Sequence, residues 1–181
     1  MNQENHPPTT TFQTLRRFLW EMLTSLVPAV ILALIINVNI AQAVSIDGPS
    51  MQPNLFGGYR VMIEKVSYHF HSPQRGDVVV VQVWPDKTPL IKRVIAVAGE
   101  TVEIRNGHTF INGQPLNEPW VTYFGGQNYP ASQIPNGYIF IEGDNRAASQ
   151  DSRAFGPVPL KNVIGRAWLI YWPPKQIKLE P

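Results

Sequence analysis

The chain has 181 residues, enough for one medium-sized domain and a short additional segment. Charged residues make up only 15% of it, against about 25% in an average soluble domain, while the apolar fraction of 44% is ordinary. This combination predicts a membrane-spanning segment or an apolar surface. The formal net charge of +2 and the scattered basic residues argue against a nucleic-acid-binding protein, and the absence of cysteine excludes disulfides, thiolate metal clusters and a cysteine nucleophile.

The chain begins with a polar segment that is followed by two basic residues. Residues 1–14 are rich in threonine and proline, which predicts a flexible tail. Arg16 and Arg17 come next, and basic residues beside a membrane span stay on the cytoplasmic side. We therefore expect residues 1–17 in the cytoplasm and everything after about residue 42 on the opposite side of the membrane.

An apolar run over residues 22–40 predicts a membrane anchor. Its length approaches the ~20 residues that a helix needs to cross a bilayer. No polar face interrupts residues 26–36, which argues against a buried helix of a soluble domain. We place the anchor at residues 18–42, with Pro28 near the start of the helix, where a missing N–H matters least. The same pattern, ending in Ala41-Gln42-Ala43, also fits a cleaved signal peptide, although the run is longer than the usual apolar core.

The remainder of the chain, residues 43–181, predicts a single β domain. Proline and glycine recur too often there for long helices, and short β-type runs lie between them. Asn106-Gly107 predicts a hairpin turn, Asn112-Gly113 a second turn, and residues 115–135 a looser region. The predicted strands cover residues 60–66, 77–84, 89–97, 102–105, 109–111, 138–142 and 163–171. The predicted fold is mostly β: one partly closed, barrel-like domain preceded by one transmembrane helix.

Two short stretches carry groups that a hydrolase needs. Asp47-Gly48-Pro49-Ser50 predicts a sharp turn that presents a hydroxyl, although such a turn is often only structural. In the strand Leu90-Ile91-Lys92-Arg93-Val94-Ile95, alternation places the two basic side chains on opposite faces, so one cation lies among apolar neighbours. Burial lowers the pKa of a lysine, and a neutral lysine can take a proton from a serine hydroxyl. The alternative is a lysine at a sheet edge whose ammonium reaches water.

A dense polar loop, residues 143–153, follows an apolar strand. Asp151 and Arg153 can form an ion pair, and Ser149 can donate a hydrogen bond to a nearby amine. The alternative is a solvated loop that is held by local turn hydrogen bonds.

The histidines do not indicate a metal site or a Ser/His/Asp enzyme. His69 and His71 lie two residues apart, but no further ligand cluster accompanies them. No Gly-x-Ser-x-Gly elbow occurs, and no histidine stands in a comparable polar motif. We therefore expect no metal ligands in this chain.

The order and spacing of these motifs resemble the bacterial type I signal peptidases, which use a Ser/Lys dyad. In chain order the motifs are the amino-terminal span, Gly-Pro-Ser-Met-x-Pro, Gly-Asp-Val-Val, Ile-Lys-Arg-Val-Ile, Gly-Asp-Asn-Arg with a serine and Asp-Ser-Arg after it, and the closing Ile-Gly-Arg-Ala and Ile-Tyr-Trp-Pro. The resemblance covers nearly all of residues 15–172. It implies a membrane-bound serine endopeptidase that removes signal peptides from exported preproteins. Such enzymes cut after small residues at Ala-x-Ala sites and need no cofactor.

The resemblance assigns roles to the candidate residues. Ser50 is the expected nucleophile, its backbone N–H holds the oxyanion, and Lys92 is the general base. Ser149 is expected to orient the base by a hydrogen bond. The remaining supporting residues of the polar loop are Asp144, Asp151 and Arg153. The residues expected to bind the substrate are Ile46, Met51, Leu55, Leu90 and Ile91.

Two features depart from the family pattern. Gly48 stands where some members carry a hydroxyl that helps to bind the oxyanion, and a donor of this kind contributes about 2.7–4 kcal/mol. Ala147 and Ala148 stand where polar residues are common. The alternative function is therefore a catalytically inactive, membrane-anchored β-domain paralogue. A self-cleaving repressor-type protease also has a Ser/Lys pair, but the membrane span argues against it; a secreted domain released at Ala43 is a further alternative.

The resemblance also predicts the surroundings of the protein. The expected partners are the signal peptides of exported preproteins, the lipid bilayer and the secretion machinery, with no nucleic acid. The expected location is the bacterial inner membrane, crossed once, with the catalytic domain on the periplasmic side; a thylakoid-type membrane is the alternative. Trp168, Tyr171 and Trp172 suit a face at the membrane interface, where amphipathic aromatic rings collect.

Overall fold

The computed structural model describes residues 11–179, which form a helical unit ending at Asn39 and a β unit beginning at Ile40. The first ten residues of the predicted tail lie outside the described residues.

The helical unit is a single long helix, α1, that spans Thr11–Asn39. It begins before residue 18, so Pro28 lies in its interior and not near its start, which corrects the prediction. A proline there removes the hydrogen bond to the carbonyl of Thr24. The helix continues because Thr11–Asn39 contains no glycine and no second proline, and each added residue of a helix gains one backbone hydrogen bond.

Helix α1 has the length and composition of a membrane span. The stretch Gln13–Leu34 has a mean hydropathy of 1.6. Among the described residues it is the one helical stretch that is long and apolar enough to cross a membrane. Its hydroxyl side chains are satisfied within the helix: Thr24 Oγ1 donates to Trp20 O at 2.9 Å, and Ser25 Oγ donates to Glu21 O at 2.7 Å. A signal sequence has the same properties, so the anchor stays a prediction.

The β unit contains twelve strands in the described residues. They are β1 (Ala41–Ser45), β2 (Arg60–Glu64), β3 (Val78–Val81), β4 (Leu90–Val97), β5 (Thr101–Arg105), β6 (His108–Ile111), β7 (Gln114–Pro115), β8 (Tyr129–Gln133), β9 (Tyr138–Glu142), β10 (Val158–Pro159), β11 (Val163–Trp172) and β12 (Lys178–Leu179). One short α-helix, α2, spans Ser152–Phe155.

The strands form two antiparallel sheets. The main sheet has eight strands in the order β1-β2-β11-β3-β4-β9-β10, with β12 beside β11, and it curls into a half-barrel. The second sheet has four strands in the order β7-β6-β5-β8. The mostly β, partly closed fold predicted from the sequence is confirmed. Both Asn-Gly turns are also present, with positive φ at Asn106, Gly107, Asn112 and Gly113, as a type I′ hairpin turn requires.

Several strands lie outside the predicted set. Strand β1 begins at Ala41, within the segment that the sequence assigns to the anchor, and β8 lies within the region predicted to be looser. Their sequences, AQAVS and YPASQ, contain few β-branched or aromatic residues. They are strands because they pair with β2 and β5, and this tertiary pairing outweighs a weak local preference.

Three hydrophobic clusters fill the β unit, and one of them supports the candidate site. It contains Ile46, Met51, Leu55, Val61, Val78, Ala167 and Ile170, with Tyr59 and Ile91 packed against it. The cluster joins the turn after β1 to residues of the main sheet. Ile46, four residues before Ser50, and Met51, directly after it, are thereby fixed in the core.

Candidate active site

The Ser50 turn, residues 47–55, directly follows strand β1. Gly48 has a φ of 87°, in the region that favours glycine. Met51 and Leu55 are fully buried, and the N–H of Leu55 donates to the carbonyl of Met51 at 2.9 Å. The turn is thus anchored in the core, while Ser50 itself stays half-buried at the surface.

Lys92 meets this turn from strand β4, which lies between β3 and β9. Its side chain is only 3% exposed. The amine Nζ lies 2.7 Å from Ser50 Oγ and donates to the carbonyl of Ile91 at 2.9 Å. Burial lowers the pKa of Lys92 to about 8, although the nearby carboxylates of Asp151 and Asp144 raise it. A neutral amine at this distance from a hydroxyl can accept its proton.

The neighbouring cation, Arg93, is also buried, so both faces of β4 hide a basic side chain. The alternation predicts one cation among apolar neighbours, and the structure buries both. Arg93 is 7% exposed, and its Nε and Nη2 donate to the two carboxylate oxygens of Asp144 at 2.8 and 2.7 Å. Its Nη1 donates to the carbonyl of Gly76. Among the described residues no carboxylate forms a comparable ion pair with Lys92, and this difference leaves the lysine free to lose its proton.

Three hydrogen bonds join the Ser50 turn to the polar loop, one of them from Asn145 Nδ2 to the carbonyl of Pro49 at 3.2 Å. Asn54 Nδ2 donates to Asp144 Oδ2 at 2.8 Å and to the carbonyl of Trp120 at 2.9 Å. The N–H of Asn145 donates to the carbonyl of Ser50 at 3.0 Å. Asp144 therefore binds Arg93 and, through Asn54, the Ser50 turn. The sequence does not reveal that Asn54 and Asn145 connect the turn to the polar loop.

Gly143 lies close to both Ser149 and the carbonyl of Ser50. A Cβ at this position would lie 2.6 Å from Ser149 Cβ, and closer still to Ser149 Oγ and to the carbonyl oxygen of Ser50. Real Cβ atoms do not approach other atoms so closely. Glycine is required here because there is no room for a Cβ. Backbone conformation is not the reason, because the φ of Gly143 is not in the left-handed region.

Asp151 and Arg153 form the ion pair predicted from the sequence. Arg153 Nε and Nη2 donate to the two oxygens of Asp151 at 2.9 and 2.8 Å. The N–H of Gly143 donates to Asp151 Oδ2 at 3.0 Å. Burial raises the pKa of Asp151, but Arg153, the Ser149 hydroxyl and the Gly143 N–H together outweigh burial and hold it below its usual value.

The hydrogen bond predicted between Ser149 and Lys92 is not made. Lys92 Nζ is occupied by Ser50 Oγ and by the carbonyl of Ile91. Ser149 Oγ is buried and, among the described residues, has no partner in good hydrogen-bond geometry, although it lies close enough to Asp151 to affect its pKa. The hydroxyl is thus beside the candidate site but does not orient the amine in this structure.

A further buried ionic cluster is centred on Arg146 of the polar loop and is not predicted from the sequence. Arg146 is 1% exposed and contacts two carboxylates, Glu118 and Glu142, with Glu142 Oε2 at 2.6 Å from Nη1. Its Nε donates to the carbonyl of Gly143 at 3.1 Å, and its Nη1 to Thr109 Oγ1 at 3.2 Å. Burial raises the pKa of Glu142 to about 7, even though Arg146 opposes this shift.

A groove opens beside Ser50 and Lys92, between the residues that precede each of them. Its volume is about 340 Å³. The wall before Ser50 includes Gln42, Val44, Ser45 and Asp47, and the wall before Lys92 includes Thr88, Pro89, Leu90 and Ile91. Its apolar floor is made by Ile63, Val80 and Ile164. The groove is therefore bordered by two chain segments and is apolar at its base.

The predicted substrate-binding residues divide into two groups. Leu90 and Ile91 line the groove. Ile46, Met51 and Leu55 are at most 2% exposed and belong to the core cluster on which Ile91 packs, so they do not line it directly. The reason is that the Ser50 turn needs these side chains as its anchor. The floor residues lie on β2, β3 and β11. Ile164 belongs to the closing Ile-Gly-Arg-Ala motif and Val80 directly follows Gly-Asp-Val-Val, but only the pairing of the strands brings them together beside Ser50.

Comparisons with known proteins agree on one family. The family model described as signal peptidase, peptidase S26, matches residues 19–172. A probable signal peptidase I-1 from Synechocystis sp. is 41% identical over 165 residues, which cover 87% of this chain and 84% of that protein. A signal peptidase I from Leptolyngbya laminosa is 39% identical over 153 residues, covering 80% and 75%. A thylakoidal processing peptidase 1, chloroplastic, from Arabidopsis thaliana is 36% identical over 160 residues, covering 82% of this chain and 47% of that protein.

Proposed function

The chain belongs to the signal peptidase family, peptidase S26, and is a serine endopeptidase; on that premise we propose that it removes signal peptides from exported preproteins with Ser50 as nucleophile and Lys92 as general base. The resemblance seen in the motifs is confirmed by the family match. The observation that carries the assignment of the two residues is the 2.7 Å separation of Lys92 Nζ and Ser50 Oγ at the wall of the groove.

The first half of the reaction forms an acyl-enzyme. Neutral Lys92 accepts the hydroxyl proton as Ser50 Oγ attacks the carbonyl carbon of the scissile bond. The negative oxygen of the tetrahedral intermediate is held by the backbone N–H of Ser50, while Gly48 adds no side-chain donor. The ammonium of Lys92 then gives its proton to the leaving amine, and the C–N bond breaks.

The second half regenerates Ser50. Lys92 is neutral again after the amine has left, so it can take a proton from a water molecule whose oxygen attacks the ester carbonyl. The C–O bond to Ser50 then breaks, Lys92 returns the proton to Ser50 Oγ, and the peptide leaves as its carboxylate. The buried position of the lysine serves both halves because burial disfavours the ammonium and lowers the pKa to about 8. The Asp151–Arg153 pair supports the site by fixing the N–H of Gly143 and thus the polar loop that contacts Ser50.

The substrate lies in the groove as an extended strand. The segments that precede Ser50 and Lys92 flank it on both sides and offer backbone groups for hydrogen bonding. The residue before the cut meets Ile91, and apolar walls suit the small side chains of an Ala-x-Ala site. Ile46, Met51 and Leu55 shape this region from beneath, by fixing Ile91 and the turn.

Helix α1 is the proposed membrane anchor. The anchor tethers the β unit to the bilayer through the chain, because β1 begins at Ala41, directly after the helix ends. Arg16 and Arg17 keep the amino terminus in the cytoplasm, and the β unit then acts on the periplasmic side beside the secretion machinery. A thylakoid-type membrane is the alternative location, and the likeness to a thylakoidal processing peptidase supports it. Resistance to alkaline extraction and protease accessibility of the β unit from the periplasmic side test this topology.

Ala147 and Ala148 do not favour an inactive paralogue. Both side chains are exposed in the short turn Arg146–Ala148, so they remove no buried contact of the candidate site. The proposed activity is tested by incubating full-length protein in lipid with a preprotein that bears an Ala-x-Ala site. We expect mass spectrometry to show cleavage after the second alanine by wild type and by Ser132→Ala, a control on β8, and none by Ser50→Ala. Equal cleavage by Ser50→Ala refutes the assignment of the nucleophile.

A further inference from the structure

A second, shallower depression adjoins the groove across strand β4. We call it the side pocket; its volume is about 460 Å³, and it is lined by Trp84, Asp86, Lys87, Thr88, Leu90 and Gln150. Thr88 and Leu90 line the groove as well. The groove and the side pocket therefore share the segment that precedes Lys92.

The two depressions share Leu90, whereas Ile91 and Lys92 line only the groove. Along the strand, Leu90 and Ile91 project to opposite faces. An extended peptide beside this strand has the same period of two residues. If its first and third residues before the cut project towards Ile91, its second residue projects towards Leu90 and the side pocket.

The side pocket is already formed in the free protein. Its loop between β3 and β4 is closed by hydrogen bonds from Gln82 Nε2 to the carbonyl of Lys87 at 2.7 Å and from the N–H of Lys87 to the carbonyl of Trp84 at 3.2 Å. The Trp84 ring packs edge-on against Phe155 with a centroid separation of 5.2 Å. A bound side chain thus finds an ordered wall, which lowers the entropy lost on binding.

The chemistry of the side pocket is apolar at its base and polar at its rim. Trp84 and Leu90 are half-buried, and Lys87 Nζ lies over the Trp84 ring, 4.8 Å from its centroid. The Asp86 carboxylate is exposed and, within the described part of the chain, has no ion-pair partner. A carboxylate only accepts hydrogen bonds, so it favours a side chain that donates and disfavours one that carries negative charge.

We propose that the side pocket binds the residue between the two small residues of the cleavage site, and that Asp86 selects long side chains with a donor at the tip, such as lysine, over glutamate. This inference rests on the proposed function. Asp86 acts on substrate choice and takes no part in the chemical step. An exposed charge pair contributes about 0.2–1 kcal/mol, which corresponds to a preference of up to about fivefold in kcat/KM.

The test uses full-length protein in detergent and three peptides that differ only at the middle position: Ala-Lys-Ala, Ala-Glu-Ala and Ala-Ala-Ala. We expect wild type to cleave the lysine peptide about two- to fivefold faster than the glutamate peptide, with the ratio falling towards one at high salt. Asp86→Asn brings the ratio to one or below, because the Lys87 ammonium is then the remaining charge among the residues that line the side pocket. Glu103→Gln, a control on β5 in the second sheet, keeps the ratio.

A ratio near one in wild type, or an unchanged ratio in Asp86→Asn, overturns the proposal for the side pocket. In either case cleavage of the Ala-Ala-Ala peptide leaves the proposed function standing. If wild type cuts none of the three peptides, the proposed function itself fails, and the side pocket loses its substrate. These outcomes are therefore distinguishable in one experiment.

Discussion

Replacement of Gly143 by alanine tests how closely the polar loop controls the position of Ser50. The new Cβ would lie 2.6 Å from Ser149 Cβ and nearer still to the carbonyl oxygen of Ser50, whereas ordinary contacts begin at 3.4 Å. Relief of the contact with Ser149 Cβ alone requires a movement of about 0.8 Å, the difference between 3.4 and 2.6 Å. The carbonyl oxygen of Ser50 would lie nearer still, so part of the movement must come from the Ser50 turn.

A displacement of this size has a predictable effect on rate. Misplacement of a reacting group by about 1 Å lowers the rate by roughly 10²-fold, and overpacking a filled site destabilises a fold by about 1–3 kcal/mol. We expect Gly143→Ala to remain folded and to lose about 10²-fold in kcat on an Ala-x-Ala peptide. The matched control is Gly126→Ala, because a Cβ there meets no atom within 4 Å and needs no left-handed backbone. Equal kcat values for the two variants refute this account of the loop.

Three further predictions concern buried polar groups. Because only neutral Lys92 accepts a proton, kcat/KM rises roughly tenfold per pH unit below the pKa of about 8 and levels off above it; a flat profile contradicts the role of the lysine. The folded-state pKa of Glu142 is raised from 4.5 to about 7, so wild type loses stability as the pH rises through that interval, by about 3 kcal/mol in all. Glu142→Gln removes this loss and unfolds at a higher urea concentration than wild type at pH 8; equal midpoints there contradict the shift. Asn54→Ala removes the hydrogen bond to Asp144 and should cost about 1.5–3 kcal/mol of unfolding free energy as well as activity, and an unchanged urea midpoint contradicts this.

The sequence predicts the parts of the site that depend on local pattern and on the order of the motifs. The fold class follows from short β-type runs, turn residues and one apolar segment. The prediction that Ser50 lies next to Lys92 depends on the family resemblance. Alternation along β4 alone does not say which of the two cations, Lys92 or Arg93, is available to act as the base. The structure supplies the reason: Arg93 is held by both oxygens of Asp144, and Lys92 is not.

The features that the sequence does not predict depend on contacts between distant residues. Asn54 meets Asp144 across 90 positions, and Glu118 meets Arg146 across 28, so no local pattern reports either contact. Buried charges are also uncommon, and Glu142 ends a strand that otherwise reads as apolar. Side chains near a catalytic motif are readily assigned to substrate binding, but Met51 and Leu55 are needed in the core to hold the turn.

The most direct test of the proposed mechanism is the turnover of an Ala-x-Ala preprotein by Lys92→Ala, measured beside wild type with the urea midpoint of each. The 2.7 Å contact with Ser50 predicts a folded protein whose kcat falls by at least about 10²-fold. Lys92→Arg should be equally inactive, because a guanidinium does not lose its proton. Near-normal turnover by Lys92→Ala contradicts the role of the lysine as the base that activates Ser50.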